Sequence, residues 1–120
     1  MTVIGEDGLQ FVDLPGRRAA DPLRSIPSRA SVRVVELRRT PGRTAHRHPH
    51  SEEIVFVEAG EGEVWIDGST HRVRAGDVVH IPAGAAHATV PDEGSAMRLV
   101  CFFPHPELAA NSEDTDIKVT

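Results

Sequence analysis

Short runs of β-branched residues, each closed by a turn signal, limit what this chain can fold into. Residues 31–39 read SVRVVELRR and end before Pro41-Gly42, and residues 53–58 read EIVFVE and end before Gly60. Residues 63–66 and 69–73 flank Asp67-Gly68, a pair that favours a type I′ hairpin turn because both central residues need positive φ. No segment shows the 3.6-residue periodicity of a helix. The pattern predicts an all-β domain of about eight short strands in a jelly-roll-like barrel.

Proline, glycine and charge divide the chain into three segments. Residues 1–30 contain scattered prolines and are predicted to be an extended N-terminal arm with one short strand near residues 9–14. Residues 31–103 hold the strand-forming runs and are predicted to form the barrel domain. Residues 104–120 form a polar C-terminal tail, acidic through Asp116, for which we expect loop, edge strand or disorder. A chain of 120 residues is long enough for one hydrophobic core.

Charge and cysteine content exclude several classes of protein. The formal net charge is −5, which argues against a nucleic-acid or anionic-membrane partner. The single cysteine, Cys101, rules out an internal disulfide framework and a Cys-rich zinc site. No apolar stretch approaches the ~20 residues of a membrane span, and no signal-peptide pattern begins the chain. We therefore expect a cytoplasmic protein that binds neither nucleic acid nor membrane.

Residues 46–53, HRHPHSEE, concentrate metal-ligand side chains. They hold three of the seven histidines and two carboxylates. Because side chains two apart in an extended strand share a face, His46 and His48 can present two imidazoles to one point. A carboxylate from the next stretch would complete a two-histidine, one-carboxylate set for a transition metal. The alternative is a polar turn with solvent-facing histidines.

Two patterned segments of this chain resemble the two sequence motifs of the cupin superfamily, which are small metal-binding β-barrels. The resemblance covers roughly residues 31–103 and implies a small single-domain, or monocupin, protein. The first segment runs from Gly42 to Gly60 and the second from Gly76 to His87. The residues that carry the resemblance are Gly42, His46, His48, Glu53, Gly60, Gly76, Pro82, Gly84 and His87.

The chain departs from the cupin pattern at two points. The gap between Gly42 and His46 is shorter than usual, and Pro91 stands where the second motif often has asparagine. Counting forward from Gly42 selects His48 and His50 as the histidine pair, whereas counting back from Glu53 selects His46 and His48. The distance from Glu53 to the following Gly60 favours the second choice.

On this resemblance, one divalent transition metal per chain (Fe, Mn, Ni, Cu or Zn) is expected on His46, His48, Glu53 and His87. His50 then becomes a candidate catalytic group beside the metal or an alternative ligand. Glu52 would face the opposite side of the strand from Glu53.

The resemblance implies a metal-dependent enzyme that acts on a small oxygen-rich organic substrate. Dioxygenase-type chemistry is favoured, with isomerase, lyase or cyclase chemistry as alternatives. The chain has no tyrosine, so no phenol is available as acid, base or radical. Proton transfer would fall to Glu53, which is the expected catalytic carboxylate, or to His50, Glu52 or His80. The competing hypothesis is a non-catalytic, metal-containing cupin that binds or senses a small molecule.

Two further expectations concern partners and substrate contacts. Small cupins commonly pair, so a homodimer is expected, with the N-terminal arm adding a strand to a neighbour. Arg33, Arg38 and Arg98 lie on predicted strands and are candidates to anchor a substrate carboxylate, with exposed strand positions as the alternative.

Overall fold

Eleven β-strands and two short 3-10 segments form the regular structure in the computed structural model, which describes all 120 residues. The count exceeds the predicted eight because the second half of the arm, the histidine segment and the tail also pair as strands. In chain order the strands are β1 (Val12–Leu14), β2 (Arg17–Ala20), β3 (Ser31–Arg38), β4 (Thr44–Arg47), β5 (Glu53–Ala59), β6 (Glu61–Ile66), β7 (Ser69–Arg74), β8 (Val78–Ile81), β9 (His87–Pro91), β10 (Ala96–Phe103) and β11 (Glu113–Lys118). The 3-10 segments are Glu6–Gly8 and Ala109–Asn111.

The strands form two antiparallel sheets. The six-stranded sheet has the order β1-β2-β3-β10-β5-β8, and the five-stranded sheet has the order β11-β4-β9-β6-β7. Neighbours far apart in sequence, such as β3 and β10, pair along their whole length. This is the jelly-roll arrangement that the sequence predicts. Neither helical segment has the length and apolarity that crossing a bilayer requires.

The β6–β7 hairpin forms around the predicted turn. Asp67 has φ 45° and Gly68 has φ 91°, so both central residues adopt the positive φ that a type I′ turn needs. Ile66 and Ser69 pair directly beside the turn, and the register continues to Glu61 and Arg74. The hairpin extends the five-stranded sheet to its outer edge.

The hydrophobic core lies between the inner faces of the two sheets. On β5, Val55 and Val57 are buried, while Phe56 between them is exposed. Because side chains alternate across a strand, the same alternation turns Glu53 into the interior. The sequence pattern that builds the core thus also places one carboxylate inside it. The core cluster comprises Ala19, Val35, Leu37, Val55, Val57, Val64, Val73, Ile81, Ala85, Met97, Leu99, Cys101 and Phe103.

Gly60 lets the turn between β5 and β6 lie directly against β10. Its φ is +84°, and a Cβ atom built there would lie 2.2 Å from the carbonyl oxygen of Ala96. No other residue fits this backbone conformation and this approach without displacing β10. The glycine that ends the first patterned segment is therefore required by packing.

Candidate metal centre

The structure brings together the four side chains that the sequence analysis predicts as metal ligands. His46 on β4 and His87 on β9 are direct register partners, and His48 follows one residue after β4 ends. Glu53 is the first residue of β5, in the opposite sheet. The candidate ligand atoms of these four side chains all lie within 4.8 Å of one another. Of the two histidine pairs left open by the spacing, this cluster contains His46 and His48.

Two of the histidines are buried and held in one tautomer. His48 is 5% exposed and His87 is 3% exposed. Nδ1 of His48 lies 2.7 Å from the carbonyl oxygen of Asn111, and Nδ1 of His87 lies 2.9 Å from that of Ala85. Because a carbonyl oxygen only accepts, each Nδ1 must donate its proton. In the neutral rings, each Nε2 is left with a free lone pair.

The two Nε2 atoms face the carboxylate of Glu53. Oε1 of Glu53 lies 2.9 Å from Nε2 of His87 and 3.3 Å from Nε2 of His48. All three atoms are buried, and none makes a hydrogen bond. Burial raises the pKa of Glu53, and donation by His48 and His87 would outweigh burial and lower this pKa well below its ordinary value, but only while Nε2 of these rings carries a proton. A carboxylate oxygen and two imidazole nitrogens converge on one point, where a bound cation would take the place of those protons.

His46 completes the cluster as a neutral ring. Its ring centroid lies 4.4 Å from that of His87 and 5.1 Å from that of His48. Burial lowers the pKa of His46 well below its ordinary value, and the neighbouring His87 lowers it further. A neutral imidazole is the form that ligates a metal.

The donor set fits a divalent transition metal. Three imidazole nitrogens and one carboxylate oxygen are ligands that suit Fe, Mn, Ni, Cu and Zn. One carboxylate would leave such an ion with a net positive charge, and an octahedral ion would keep two positions for other ligands.

Asn111 supports the cluster from the C-terminal tail. It is fully buried, and its backbone carbonyl accepts the His48 Nδ1 proton. Its side-chain amide donates to Oγ of Ser51 at 2.8 Å, and its Oδ1 accepts from the backbone N–H of His50 at 2.8 Å. These three contacts fix the segment that follows β4. Sequence reasoning missed this residue, because nothing in a polar tail marks one asparagine as buried.

A cavity of about 460 Å³ opens beside the cluster. Its volume lies within the roughly 300–1,000 Å³ of small-molecule sites. Its wall includes apolar core residues. It also includes Thr89, Arg17 and Arg43, three residues that the sequence analysis did not single out. Cys101 also lines the cavity, and burial raises the pKa of its thiol well above its ordinary value, with Glu53 adding to the effect.

Other predicted site residues lie outside this cavity. His50 is exposed and does not line it; its ring stacks on His105 at 5.7 Å. Glu52 and His80 form an exposed ion pair at 3.2 Å on the outer face of the six-stranded sheet. Glu53 is the one carboxylate of the histidine segment that enters the interior.

The three predicted substrate-anchoring arginines are separated by the structure. Arg33 lines the cavity, but Asp21 pairs with it at 2.9 Å. Arg98 pairs with Glu6 and Glu58 outside the cavity, and Arg38 is exposed on the outside of β3.

A buried cluster of three imidazoles and one carboxylate inside a two-sheet jelly roll defines a class of small β-barrels with metal-ligand side chains in the interior. The chain belongs to one family of that class, the cupins. A family model described as a cupin domain matches residues 34–103. The match falls within the segment that carries the sequence resemblance, so the predicted family is confirmed.

Named relatives share part of the chain. It is 37% identical over 76 residues to protein SchB of Streptomyces halstedii, which covers 59% of the chain and 55% of SchB. It is 47% identical over 45 residues to dimethylsulfoniopropionate lyase DddW of Ruegeria pomeroyi, which covers 38% of the chain and 29% of the lyase. The chain thus spans about half of SchB and under a third of the lyase.

A solved structure shares the whole fold. Pac13 of Streptomyces, described as a nucleoside dehydratase, superposes with a TM-score of 0.78 and covers 100% of this chain and 94% of Pac13. The sequence identity is 15%, so this likeness shows a common fold.

Proposed function

We propose that this chain is a metal-dependent cupin enzyme that acts on a small oxygen-rich organic substrate. The observation that carries this proposal is the convergence of three buried atoms without hydrogen bonds: Nε2 of His48, Nε2 of His87 and Oε1 of Glu53. The cavity beside them supports catalysis over a purely structural role, since structural metal sites are closed by protein ligands.

Each group at the site has a role in the proposed reaction. A bound divalent ion supplies Lewis-acid chemistry and a template for oxygen atoms of the substrate. His48 and His87 keep their lone pairs toward the cavity because backbone carbonyls hold their other protons. A bound cation would keep Glu53 ionised, and on leaving the metal Glu53 would be placed to accept a proton from a substrate in the cavity. His50 is exposed on the outside, so proton transfer in the cavity rests on Glu53.

Two reaction classes fit these groups. Dioxygenase-type chemistry is the class favoured by the sequence resemblance, and a redox-active ion such as Fe or Mn held by these residues would supply it. Elimination chemistry is favoured by a different observation: one relative is named as a lyase, and one structural neighbour is described as a dehydratase. Elimination needs a base and a Lewis acid but no dioxygen; Glu53 would be the base once it leaves the metal, and a bound ion would supply the Lewis acid.

Metal analysis combined with oxygen uptake tests the proposal. The protein is purified without added metal, analysed for bound elements, and then loaded with Fe, Mn, Ni, Cu or Zn. Each form is incubated with a panel of small hydroxy acids, oxo acids and phenols, with and without dioxygen, and products are detected by mass spectrometry. About one metal per chain and turnover of at least one compound are expected.

Each result has a separate meaning. Oxygen consumption coupled to product supports the dioxygenase version, whereas conversion under anaerobic conditions supports elimination or isomerisation. Stoichiometric metal and tight binding without conversion would favour the non-catalytic binding module. Failure to take up any of these metals would overturn the proposal.

A further inference from the structure

Two arginines in the cavity wall have no anionic partner. Arg17 lies at the start of β2, and Arg43 lies just before β4. Both are partly buried, and neither guanidinium makes a hydrogen bond or an ion pair. Nε of Arg43 is buried without a partner. The other arginines without ion pairs are exposed to solvent: Arg24, Arg29, Arg38, Arg39 and Arg74.

Each of the two guanidinium groups makes the charged form of the other less favourable. Burial and, to a smaller extent, the nearby Arg17 lower the pKa of Arg43 to about 10. Burial also lowers the pKa of Arg17, and Arg33 adds to this effect while Asp114 opposes it. Both groups remain charged at neutral pH. Two partly buried cations in the wall of one cavity, without an ion-pair partner, form the arrangement expected of an anion site.

We infer that Arg17 and Arg43, which both line the cavity, form a subsite for one carboxylate group of the substrate. The inference rests on the proposed function, because it takes the bound molecule to be the substrate of that enzyme. The same cavity contains the metal-ligand cluster. The planar guanidinium forks suit a carboxylate, which can accept two parallel hydrogen bonds from each. The substrate class is therefore a small organic acid whose other oxygen atoms reach the cluster.

The charge of the cavity wall favours a carboxylate over a phosphate. Asp114 lies in the same wall and contributes one negative charge near Arg17. Arg33 is already neutralised by Asp21. Arg17 and Arg43 therefore balance the carboxylates of Asp114 and Glu53 in the same wall. One carboxylate group adds a single negative charge between the two guanidinium groups, whereas a phosphate dianion would place two there.

Ligand binding to metal-free protein tests the subsite without the metal or catalysis. Succinate is the probe, and dimethyl succinate and inorganic phosphate are its comparators, with affinity measured by calorimetry and by thermal shift. We expect succinate to bind and stabilise the wild type and the ester to have no effect. Arg17→Gln and Arg43→Gln should each weaken succinate binding about tenfold or more, the usual effect of losing a hydrogen bond to a charged group. Arg38→Gln is the matched control, since Arg38 is exposed outside the cavity.

A second readout separates a binding role from a structural one. Removing either cation relieves repulsion, so the ligand-free Arg17→Gln and Arg43→Gln proteins should melt at the same temperature as the wild type or higher. Arg17→Lys and Arg43→Lys keep the charge without the fork and should bind succinate with intermediate affinity. If one glutamine variant fails to fold, the other and the lysine pair decide the result.

Several results would overturn the subsite. These are absence of succinate binding up to its solubility limit, equal affinity in the wild type and both glutamine variants, and equal binding of the ester. Tighter, arginine-dependent binding of phosphate would overturn the assignment to a carboxylate. A metal-loaded protein that converts no compound would instead contradict the proposed function, and the metal-free binding data would stand.

Discussion

In His48 and His87, the hydrogen bond at one ring nitrogen determines whether the other ring nitrogen can bind a metal. His48 and His87 donate through Nδ1 to backbone carbonyls, so their Nε2 lone pairs face Glu53. The spacing of the histidine segment suggests that His46 and His48 share a face, and the cupin resemblance adds Glu53 and His87 to the predicted set. The sequence could not predict the carbonyl of Asn111 as a partner, because that contact joins residues 63 positions apart.

Removing one imidazole should remove the metal while leaving the barrel folded. His48→Ala or His87→Ala takes one nitrogen from the set and leaves the core between the sheets intact. We expect metal per chain after dialysis to fall from about one to near zero, with an unchanged β-sheet circular dichroism spectrum. His71→Ala, on exposed β7, is the control and should keep its metal. Stoichiometric metal in either ligand variant would show that the ligand assignment is wrong.

The thiol of Cys101 should be unreactive near neutral pH. Burial raises its pKa, which lowers the thiolate fraction at a given pH, and the thiolate is the reactive form. In metal-free folded protein, labelling by a disulfide reagent should be far slower than in urea, and its rate should keep rising with pH above about 8.5, where an unfolded thiol is half ionised. Because the folded pKa is the higher one, this thiol favours folding less as pH rises past that value. Equal labelling rates in folded and unfolded protein would contradict this prediction.

At the scale of the elements, local sequence signals predict the hairpin turn and its register, but they do not predict which distant strands pair. The Asp67-Gly68 pair predicted the β6–β7 hairpin, because a two-residue turn determines the register of its own strands. For the polar tail, the local sequence is compatible with loop, edge strand or disorder, and in the structure β11 pairs with β4. A polar strand of this kind has no hydrophobic alternation, so its place depends on a partner that the local sequence does not contain.

Replacing Gly60 should be far more costly than replacing another glycine with the same backbone conformation. Gly60→Ala combines positive φ with a clash against the Ala96 carbonyl. We expect a loss of about 2–5 kcal/mol in the free energy of unfolding, measured by urea denaturation. Gly94 has φ +74° and open space around it, so Gly94→Ala should lose only about 1–2 kcal/mol. Similar losses in both variants would mean that the close approach to β10 adds no cost.

For the whole molecule, the outer face of the six-stranded sheet is apolar where β5, β8 and β10 meet. Phe56 is 43% exposed, Val78 is 66% exposed and Phe102 is 41% exposed. Phe56 and Val78 are register partners, so these side chains form one patch. The three side chains are uncharged, and the Glu52–His80 and Glu58–Arg98 contacts on the same face each combine an acidic with a basic side chain. Two copies with a net charge of −5 can therefore meet there without a cluster of like charges in the contact. In the N-terminal arm, β1 pairs with β2 and β2 with β3 in the same chain, and β1 is the edge strand at which a neighbour's strand could add.

We therefore expect a homodimer that buries this patch. Light scattering after size exclusion should give twice the mass of one chain at micromolar concentration. The double variant Phe56→Lys, Phe102→Lys should shift the mass to that of a monomer, because it places charges in the contact. Val12→Lys, on exposed β1 outside the patch, should leave the dimer intact. A monomeric wild type would contradict the expectation.

The contact between His48 and Asn111 has a consequence for the fate of the tail. The hydrogen bond to the Asn111 carbonyl sets the tautomer in which His48 can bind a metal ion. By thermodynamic linkage, a metal ion that binds this tautomer also stabilises the tail in contact with His48. Loss of the ion would then loosen residues 109–118, and these would become the first sites of proteolytic cleavage. Resistance of the tail to a protease would report metal occupancy, and Asn111→Ala should weaken that link. A chain that has lost its metal would thereby be marked for degradation at its C-terminal segment.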